Sequence, residues 1–275
     1  MNASSAILGK VVSLWRYPVK SMQGEELNAA EVTKRGVLGD RAFALIDPLD
    51  KKIGSAKNPR KWPGLLDSRA AFAEAPETGS ALPPVRITLP DGTLVASHQP
   101  GVDEALSKFI GRTVCLSNTP PSNPVLEEYW PDMEGLSHRD AVTNEAMAAG
   151  LFFDAAHIHL LTTATIDLLR ELYPKGRFEA RRFRPNIVVV TEEQAQQAFI
   201  ENSWCGKTVV LGDSVRLQVA ACCARCVMTT LPQSDLPADT GILRTAARHN
   251  QTNVGVYARV AAGGTLRRGD MVKFA

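Results

Sequence analysis

Along the first third of this 275-residue chain the apolar positions fall in short runs broken by Pro and Gly, a pattern that predicts strands. Val11, Val12, Leu14, Trp15 and Tyr17 form one run, stopped by Pro18. Residues 42–46 form another, closed by Asp47-Pro48, with turns at Gly36 and Gly39 between them. Residues 85–89 and 93–95 read as a hairpin, because the intervening Asp91-Gly92 suits a turn that needs positive φ. Val102, Leu106, Phe109 and Ile110 give a short helix that ends at Gly111. Further on, residues 157–161 read as a strand. Thr162 or Thr163 then caps a helix carrying Ile166, Leu168, Leu169 and Leu172, which ends before Pro174 and Gly176. Residues 187–190 form a buried strand, and 208–211 with 215–219 a hairpin around Gly212-Asp213. A helix over 242–248, a strand over 254–260 and a closing hairpin through Arg268-Gly269-Asp270 complete the pattern. Many short strands, few helices and no regular βαβ alternation or repeat predict a β-barrel or a mixed α+β, mostly β architecture.

Segments 49–78 and 118–140, rich in Pro, Gly, Ser and charge, are expected to be irregular, to wall any pocket and to hold a domain boundary. The chain has 31 Lys+Arg against 29 Asp+Glu, a net charge of +2, with 44% hydrophobic residues. That balance excludes a disordered chain and argues against a protein whose main task is coating nucleic acid or acidic membranes. No run approaches the ~20 apolar residues of a membrane span. The N-terminus shows no basic region followed by an apolar run, so no secretory signal is expected. Five clustered cysteines are too few for a disulfide framework in a chain of this length, and a reduced, cytoplasmic location is expected.

Several familiar chemistries lack their residues. No Gly-x-Gly-x-x-Gly follows a strand, Gly206-Lys207 lacks the earlier glycine of a P-loop, and no serine elbow is found. Cys223-x-x-Cys226 is half of a zinc ribbon, and the five histidines supply no second pair. A thioredoxin-like dithiol would lead into a long helix, which the β-branched residues and proline of 227–232 oppose. At least one of Cys222 and Cys223 is expected to be core packing. Cys226 differs: Arg225 adjoins it, a cationic neighbour favours the thiolate, and a thiolate suits a soft metal or sulfur transfer. Three arginines, Arg181, Arg182 and Arg184, precede the 187–190 strand, and at least one is expected to be solvated. The rest would suit an anion, since Arg forks match phosphate oxygens. Lys20 and Ser21 add a cation and a hydroxyl in a turn, where backbone N–H groups are also available. Interleaved Arg and Phe could alternatively bind RNA, but the chain carries no recognisable RNA-binding signature. Asn202, Trp204 and His249, taken singly, read as structural.

Together these residues carry a resemblance. Residues 15–21 (WRYPVKS), Gly39-Asp40-Arg41, residues 183–189 (FRPNIVV), Trp204 and residues 223–230 (CARCVMTT) occur in the order seen in MOSC-domain proteins, and 264–272 resembles the end of that domain. The chain is similar to the two-part subgroup in which an N-terminal β-barrel domain precedes the MOSC domain, of which the mitochondrial amidoxime-reducing component is the familiar member. The resemblance implies a smaller N-terminal β-rich domain over 1–120 and a MOSC β-barrel domain over 121–275. Strands from 10–47 would pack with the latter if Lys20 and Arg41 serve its site. It implies a molybdenum–molybdopterin cofactor, with Cys226 as molybdenum ligand and catalytic residue. Lys20, Ser21 and Arg41 would hold the pterin phosphate and ring, Arg184 and Asn186 would line the cofactor, and Thr162 and Thr163 would add polar contacts. Cys223 would not be a ligand. The implied reaction is reduction of small N-hydroxylated compounds to amines, with no nucleic-acid or membrane partner. No Cys-x₄-Cys-x₂-Cys run is present, so electrons are expected from a separate ferredoxin, flavoprotein or cytochrome b5 type donor. A rival implication is a sulfur or cofactor carrier using a Cys226 persulfide. Pyridoxal-phosphate binding is a looser association of the same kind, and a full desulfurase would need a further domain.

Overall fold

The first apolar run becomes the strand on which a barrel closes. The computed structural model describes residues 7–132, 138–148, 150, 152–154, 156–191 and 199–275. Its N-terminal part holds β1 (Ile7–Arg16), β2 (Glu25–Leu27), β3 (Ala29–Thr33), β4 (Gly36–Val37), β5 (Ala44–Ile46), β6 (Arg69–Phe72), β7 (Val85–Thr88), β8 (Leu94–Ala96) and β9 (Cys115–Ser117). There follow β10 (Val125–Trp130), β11 (Ala141–Ala146), β12 (Ile158–Thr162), β13 (Ile187–Thr191), β14 (Thr208–Leu211), β15 (Val215–Ala224), β16 (Asn253–Ala262), β17 (Gly264–Arg267) and β18 (Met271–Phe274). The helices are α1 (Val102–Ile110), α2 (Thr163–Leu172), α3 (Ala180–Phe183) and α4 (Thr240–Asn250). Strand content dominates, as the sequence pattern predicts.

Seven strands, in the order β1-β18-β14-β15-β16-β12-β13, return to β1 and close the barrel. Closure is the antiparallel pairing of β1 with β13, Val11 opposite Val189 and Leu14 opposite Ile187. One pair is parallel, β12 with β13, and α2 and α3 make the crossover between them. The period-2 alternation along Val215–Val219 sends Val215, Leu217 and Val219 inward, where they meet Leu14, Leu160, Val189, Val256 and Trp204. The first strand, from the start of the chain, is therefore part of a barrel otherwise built from the second half.

A second core lies beside the barrel under the β6-β7-β8 sheet, the β5-β9 pair and α1. Trp62, Leu65, Ile87 and Leu106 fill it together with Val19, Met22 and Phe43, while Met228 reaches into it from the C-terminal half. Cys226 packs against its edge. The residues around the Cys-x-x-Cys motif therefore sit where barrel and lobe meet.

Two local expectations change and a third is narrowed. The segment 118–140 contains β10, which pairs with β11 as a two-stranded arm, and residues 133–137 of that segment lie outside the described residues. The closing hairpin is not formed: β17 pairs with β3, whereas β18 pairs with β14 and β1. The Arg268-Gly269 turn hands the chain from one sheet to another, a tertiary choice that local alternation does not encode. Thr162 is the helix cap, its hydroxyl accepting the Thr165 N–H at 3.2 Å.

Gly9 marks the tightest point of closure, because β1 is flanked there by both β13 and β18 and carries a register shift against β18. Its φ of 155° and a would-be Cβ only 2.0 Å from the Val190 carbonyl oxygen leave no space for a side chain. Gly9→Ala is expected to cost about 3 kcal/mol of unfolding free energy through lost β1–β13 pairing. Urea denaturation would read this, and an unchanged midpoint would show that closure tolerates a bulge there.

Candidate functional site

Where β1 ends, the chain turns through Pro18 and runs beside residues 40–43. Lys20 N–H donates to the Phe43 carbonyl at 2.8 Å, Phe43 N–H to Pro18 at 2.9 Å and Arg41 N–H to Tyr17 at 2.7 Å. Two loops far apart in sequence are thus joined by backbone bonds that depend little on side-chain identity. Their side chains, with those of the β12–β13 and β15–β16 ends, surround a cavity of about 410 Å³. Lys20, Ser21, Arg41, Arg184, Asn186 and Cys226 all line it. Thr162 and Thr163 do not: Thr162 is fully buried and its hydroxyl donates to Glu201 at 2.8 Å, fastening α2 to the 200–204 turn.

Asp40 organises one wall. Its buried carboxylate accepts from Tyr17 N–H at 2.7 Å, from Asn186 Nδ2 at 2.9 Å and from the Arg41 guanidinium. Arg41 and Arg184 both lie over the Tyr17 ring, with guanidinium carbons 4.5 and 4.2 Å from its centroid. A ring face attracts a cation by its quadrupole, so Tyr17 holds two like charges close together. Burial, and after it the neighbouring Arg41, pull the Arg184 pKa down to about 10. Arg184 spends one N–H on the Met22 carbonyl at 2.6 Å, and no carboxylate bonds it among the described residues. A cation held this way would be stabilised by an anion in the cavity.

Lys20 and Lys57 form a second cationic wall. Lys20 donates to the Phe152 carbonyl at 3.0 Å and to Asp154, and Lys57 pairs with Glu128 at 3.0 Å and with Asp154 at 3.5 Å. Burial lowers the Lys20 ammonium despite Asp154. Burial acts on Lys57 in the same sense, but Asp154, Cys226 and Glu128 outweigh it and raise its pKa. Burial alone would lift the Asp154 carboxyl, yet Lys20 and Lys57 hold it well below the usual carboxylate range.

Three of the cavity residues, Ser21, Arg41 and Arg184, have φ of 65°, 47° and 53°. Left-handed backbone at non-glycine residues costs energy of order 1–3 kcal/mol and gathers where a site fixes side-chain direction. The Ser21 hydroxyl accepts from Ala56 N–H at 3.0 Å and keeps its own proton to donate.

The cysteines divide differently from the sequence expectation. Arg225 gives its hydrogen bonds to Cys223 Sγ at 2.7 Å and to the Phe183 carbonyl at 2.9 Å rather than to Cys226. Burial would raise the Cys223 thiol, but Arg225, His159 and Tyr257 draw it below the ordinary thiol value. For Cys226 burial prevails and raises the thiol, with Lys57 acting against it. The cause is strand geometry: Cys223 is buried on β15, whereas Cys226 begins the 3₁₀ turn of 227–230, one residue past Arg225. Of the basic cluster, Arg182 bonds only backbone carbonyls (Arg177, Thr229, Leu231 and Pro237), and Arg181 pairs at the surface with Glu179 and Asp235. Only Arg184 reaches the cavity.

The structure adds Lys57, Glu128, Trp130, Glu145, Asp154, His159, Arg225 and Tyr257 to the lining. His159 carried a readable signal, a polar residue within the apolar run of 158–161. Its Nε2 faces the Val254 carbonyl at 3.0 Å, and a carbonyl only accepts, so Nε2 bears the proton. Gly255, with φ of 81°, permits this, since a Cβ there would lie 2.3 Å from that nitrogen. Asp154 and Glu145, single carboxylates in ordinary surroundings, gave no signal.

Among the described residues no group of three or more His, Cys, Asp or Glu side chains is placed to hold a metal ion. What the cavity offers is one cysteine sulfur beside a surplus of cations, Lys20, Arg41, Lys57, Arg184 and Arg225 against Glu128, Glu145 and Asp154. That donor set fits an anionic group that brings a metal together with most of its ligands.

The fold belongs to a known class. Residues 149–273 match the MOSC domain and residues 8–100 the MOSC N-terminal beta barrel domain. The chain belongs to the MOSC-domain family and carries both domains. It is 28% identical over 255 residues to mitochondrial amidoxime-reducing component 1 of Mus musculus, covering 86% of this chain and 68% of the relative. It is 27% identical over 253 residues to the Homo sapiens component 1, with the same coverage. The YUAD protein of Bacillus subtilis aligns over 98% of this chain and 96% of its own, at 12% identity and a TM-score of 0.49. No described helix is long and apolar enough to cross a membrane.

The Lys20–Asp154 pair has a pH signature. Because the folded-state carboxyl pKa is depressed, its contribution is complete above the ordinary carboxylate value near ~4 and is lost as pH falls below it. Asp154→Asn is expected to cost about 2 kcal/mol at pH 7 and to flatten the acid limb of the stability profile. Urea melts at neutral pH and below pH 4 check this; a variant profile parallel to the parent's would show that the pair carries no pH-dependent stability.

Proposed function

We propose that this protein is a molybdenum-cofactor-dependent reductase that converts small N-hydroxylated compounds, such as amidoximes and hydroxylamines, to the corresponding amines. The observation that carries the reading is the convergence of Cys226 with Lys20, Arg41 and Arg184 on one cavity, from segments up to about two hundred residues apart. The relatives named as amidoxime-reducing components support it, and the MOSC family supports a molybdenum-cofactor role more broadly.

When bound, the pterin-held molybdenum supplies a two-electron couple against which an N–O bond is reductively cleaved. Cys226 gives its sulfur as the protein ligand, and the Lys57 charge beside it favours the deprotonated form that a soft metal requires. Lys20, Arg41 and Arg184 bind the phosphate and ring oxygens, while the Ser21 hydroxyl donates. Asn186, whose amide is already engaged by Asp40 and by His159 N–H, positions the arginine-bearing turn. Trp130 and Glu145 of the β10–β11 arm, with Phe152 and Phe153, wall the substrate side and limit water. Each turnover consumes two electrons and two protons, releasing amine and water. The electrons come from a separate ferredoxin, flavoprotein or cytochrome b5 type donor, and the setting is cytoplasmic. Thr162 and Thr163 are left out of the cofactor-binding set.

A second reading, a sulfur or cofactor carrier with a persulfide on Cys226, is favoured by one observation: another cysteine, Cys223, drawn toward the thiolate where Cys226 is not, lies three residues away.

Protein purified from a host that makes molybdopterin is expected to carry near-stoichiometric molybdenum and pterin. Cys226→Ser should keep the fold while N-reductive turnover drops more than about 100-fold. Lys20→Ala and Arg184→Ala should each lower pterin retention by about tenfold or more. Metal analysis, pterin fluorescence and turnover with a reduced donor make the check. Protein free of both metal and pterin sinks the reductase reading, and a cyanide-labile sulfur on Cys226 without turnover selects the carrier.

A further inference from the structure

Two sulfurs outside the cavity remain unused by this chemistry. The Sγ atoms of Cys205 and Cys222 lie 3.5 Å apart, both as free, half-buried thiols, and neither lines the cavity. Their meeting is set by backbone on both sides. Trp204, buried in the barrel interior, anchors the turn that ends at Cys205. Gly206, with φ of 81°, then redirects the chain so that its N–H donates to the Val219 carbonyl at 2.9 Å, while Val219 N–H donates to Lys207 at 2.9 Å. The segment leading into β14 therefore continues the β14–β15 pairing past Thr208 opposite Gln218. On the other strand, β15 shifts register against β16 between Val219 and Ala221 and again between Cys222 and Ala224. Cys222 is consequently half-buried while Cys223 beside it is fully buried against Arg225.

We propose that Cys205 and Cys222 are an oxidative modification site, a cross-strand dithiol that closes to a disulfide by exchange with a small-molecule disulfide such as oxidised glutathione. A thiolate of the pair attacks one sulfur of the small disulfide, forming a mixed disulfide and expelling one small thiol. The other cysteine, losing its proton, attacks the protein-side sulfur of that mixed disulfide and expels the second small thiol. The pair gives up two electrons and two protons, and the small disulfide gains them. Closure needs the sulfurs to approach from 3.5 Å to the ~2.05 Å of a bond, a side-chain adjustment between strands already hydrogen-bonded. The new bond ties the start of β14 to the strand that leads, four residues on, to Cys226. Burial and the neighbouring Cys222 push the Cys205 thiol up to about 11, so exchange accelerates with rising pH.

The test treats the full chain with excess oxidised glutathione at pH 7 and pH 9, blocks remaining thiols under denaturing conditions, and maps peptides without reduction. The expected result is a peptide pair joining Cys205 to Cys222, protein lighter by two hydrogens, and Cys115, Cys223 and Cys226 recovered as blocked thiols. The rate should rise about tenfold per pH unit. In Cys205→Ser or Cys222→Ser the remaining cysteine should retain a glutathione adduct. Recovery of both cysteines as thiols in the parent chain, persistence of mixed disulfides on both, or a link to Cys223 or Cys226 would each overturn the proposal. The parent-chain map decides the matter even if a serine variant fails to fold.

Discussion

The Asp40 carboxylate ties the start of the chain to the barrel and sets the cationic wall in the same contacts. It accepts from the backbone of Tyr17, from Asn186 at the head of β13 and from Arg41. Burying a carboxylate is costly unless its oxygens are engaged, and here Tyr17 and Asn186 donate from two distant segments while the adjacent Arg41 supplies the opposite charge. The bonds that satisfy the charge also fix the geometry. Tyr17 is thereby placed under two guanidiniums, and Asn186 joins β1 to β12 by accepting from His159 N–H and donating to the Trp15 carbonyl.

What this frame holds is strained by design of its charges. Two arginines share one ring, two lysines share one aspartate, and three cavity residues adopt left-handed backbone. The paired arginines and the left-handed residues cost free energy in the protein alone, and all of these features position a cation toward the same space. A stable domain tolerates a few such costs when the surrounding cores are well filled, as the barrel and lobe cores are. The arrangement has the character of a site prepared for an anion before the anion arrives, which lowers the reorganisation needed on binding.

The cysteines show how position decides chemistry for identical side chains. Cys223 is buried beside Arg225 and tends to the thiolate; Cys226, half-buried beside lysine and apolar neighbours, tends to the thiol; Cys205 and Cys222 face each other. Adjacency in sequence pointed Arg225 at Cys226, and Arg225 does lower that thiol, but burial outweighs it and the hydrogen bond goes to Cys223. A side chain's direction follows from the strand it leaves and the bond it finds, and Arg225 finds the Cys223 sulfur and the Phe183 carbonyl.

By itself the sequence determined the strand-rich character, α1 with its glycine end, a threonine cap at 162 or 163 and the β14–β15 hairpin, because these depend on periodicity, turn residues and capping within a few positions. Read with its motifs, it also named six residues that do meet at the cavity, Lys20, Ser21, Arg41, Arg184, Asn186 and Cys226. It did not contain, in any local form, the pairing of β17 with β3, the arm of β10 and β11 or the roles of Lys57, Glu128 and Asp154. Short edge strands lack alternation, and a lone carboxylate carries no pattern. Only the tertiary structure decided that Thr162 serves a helix rather than the site, and which sulfur receives the Arg225 charge. Those outcomes turn on burial, on the face a strand presents and on partners such as Glu201 and Phe183, tens of residues away in the chain, none of which is fixed until the barrel closes.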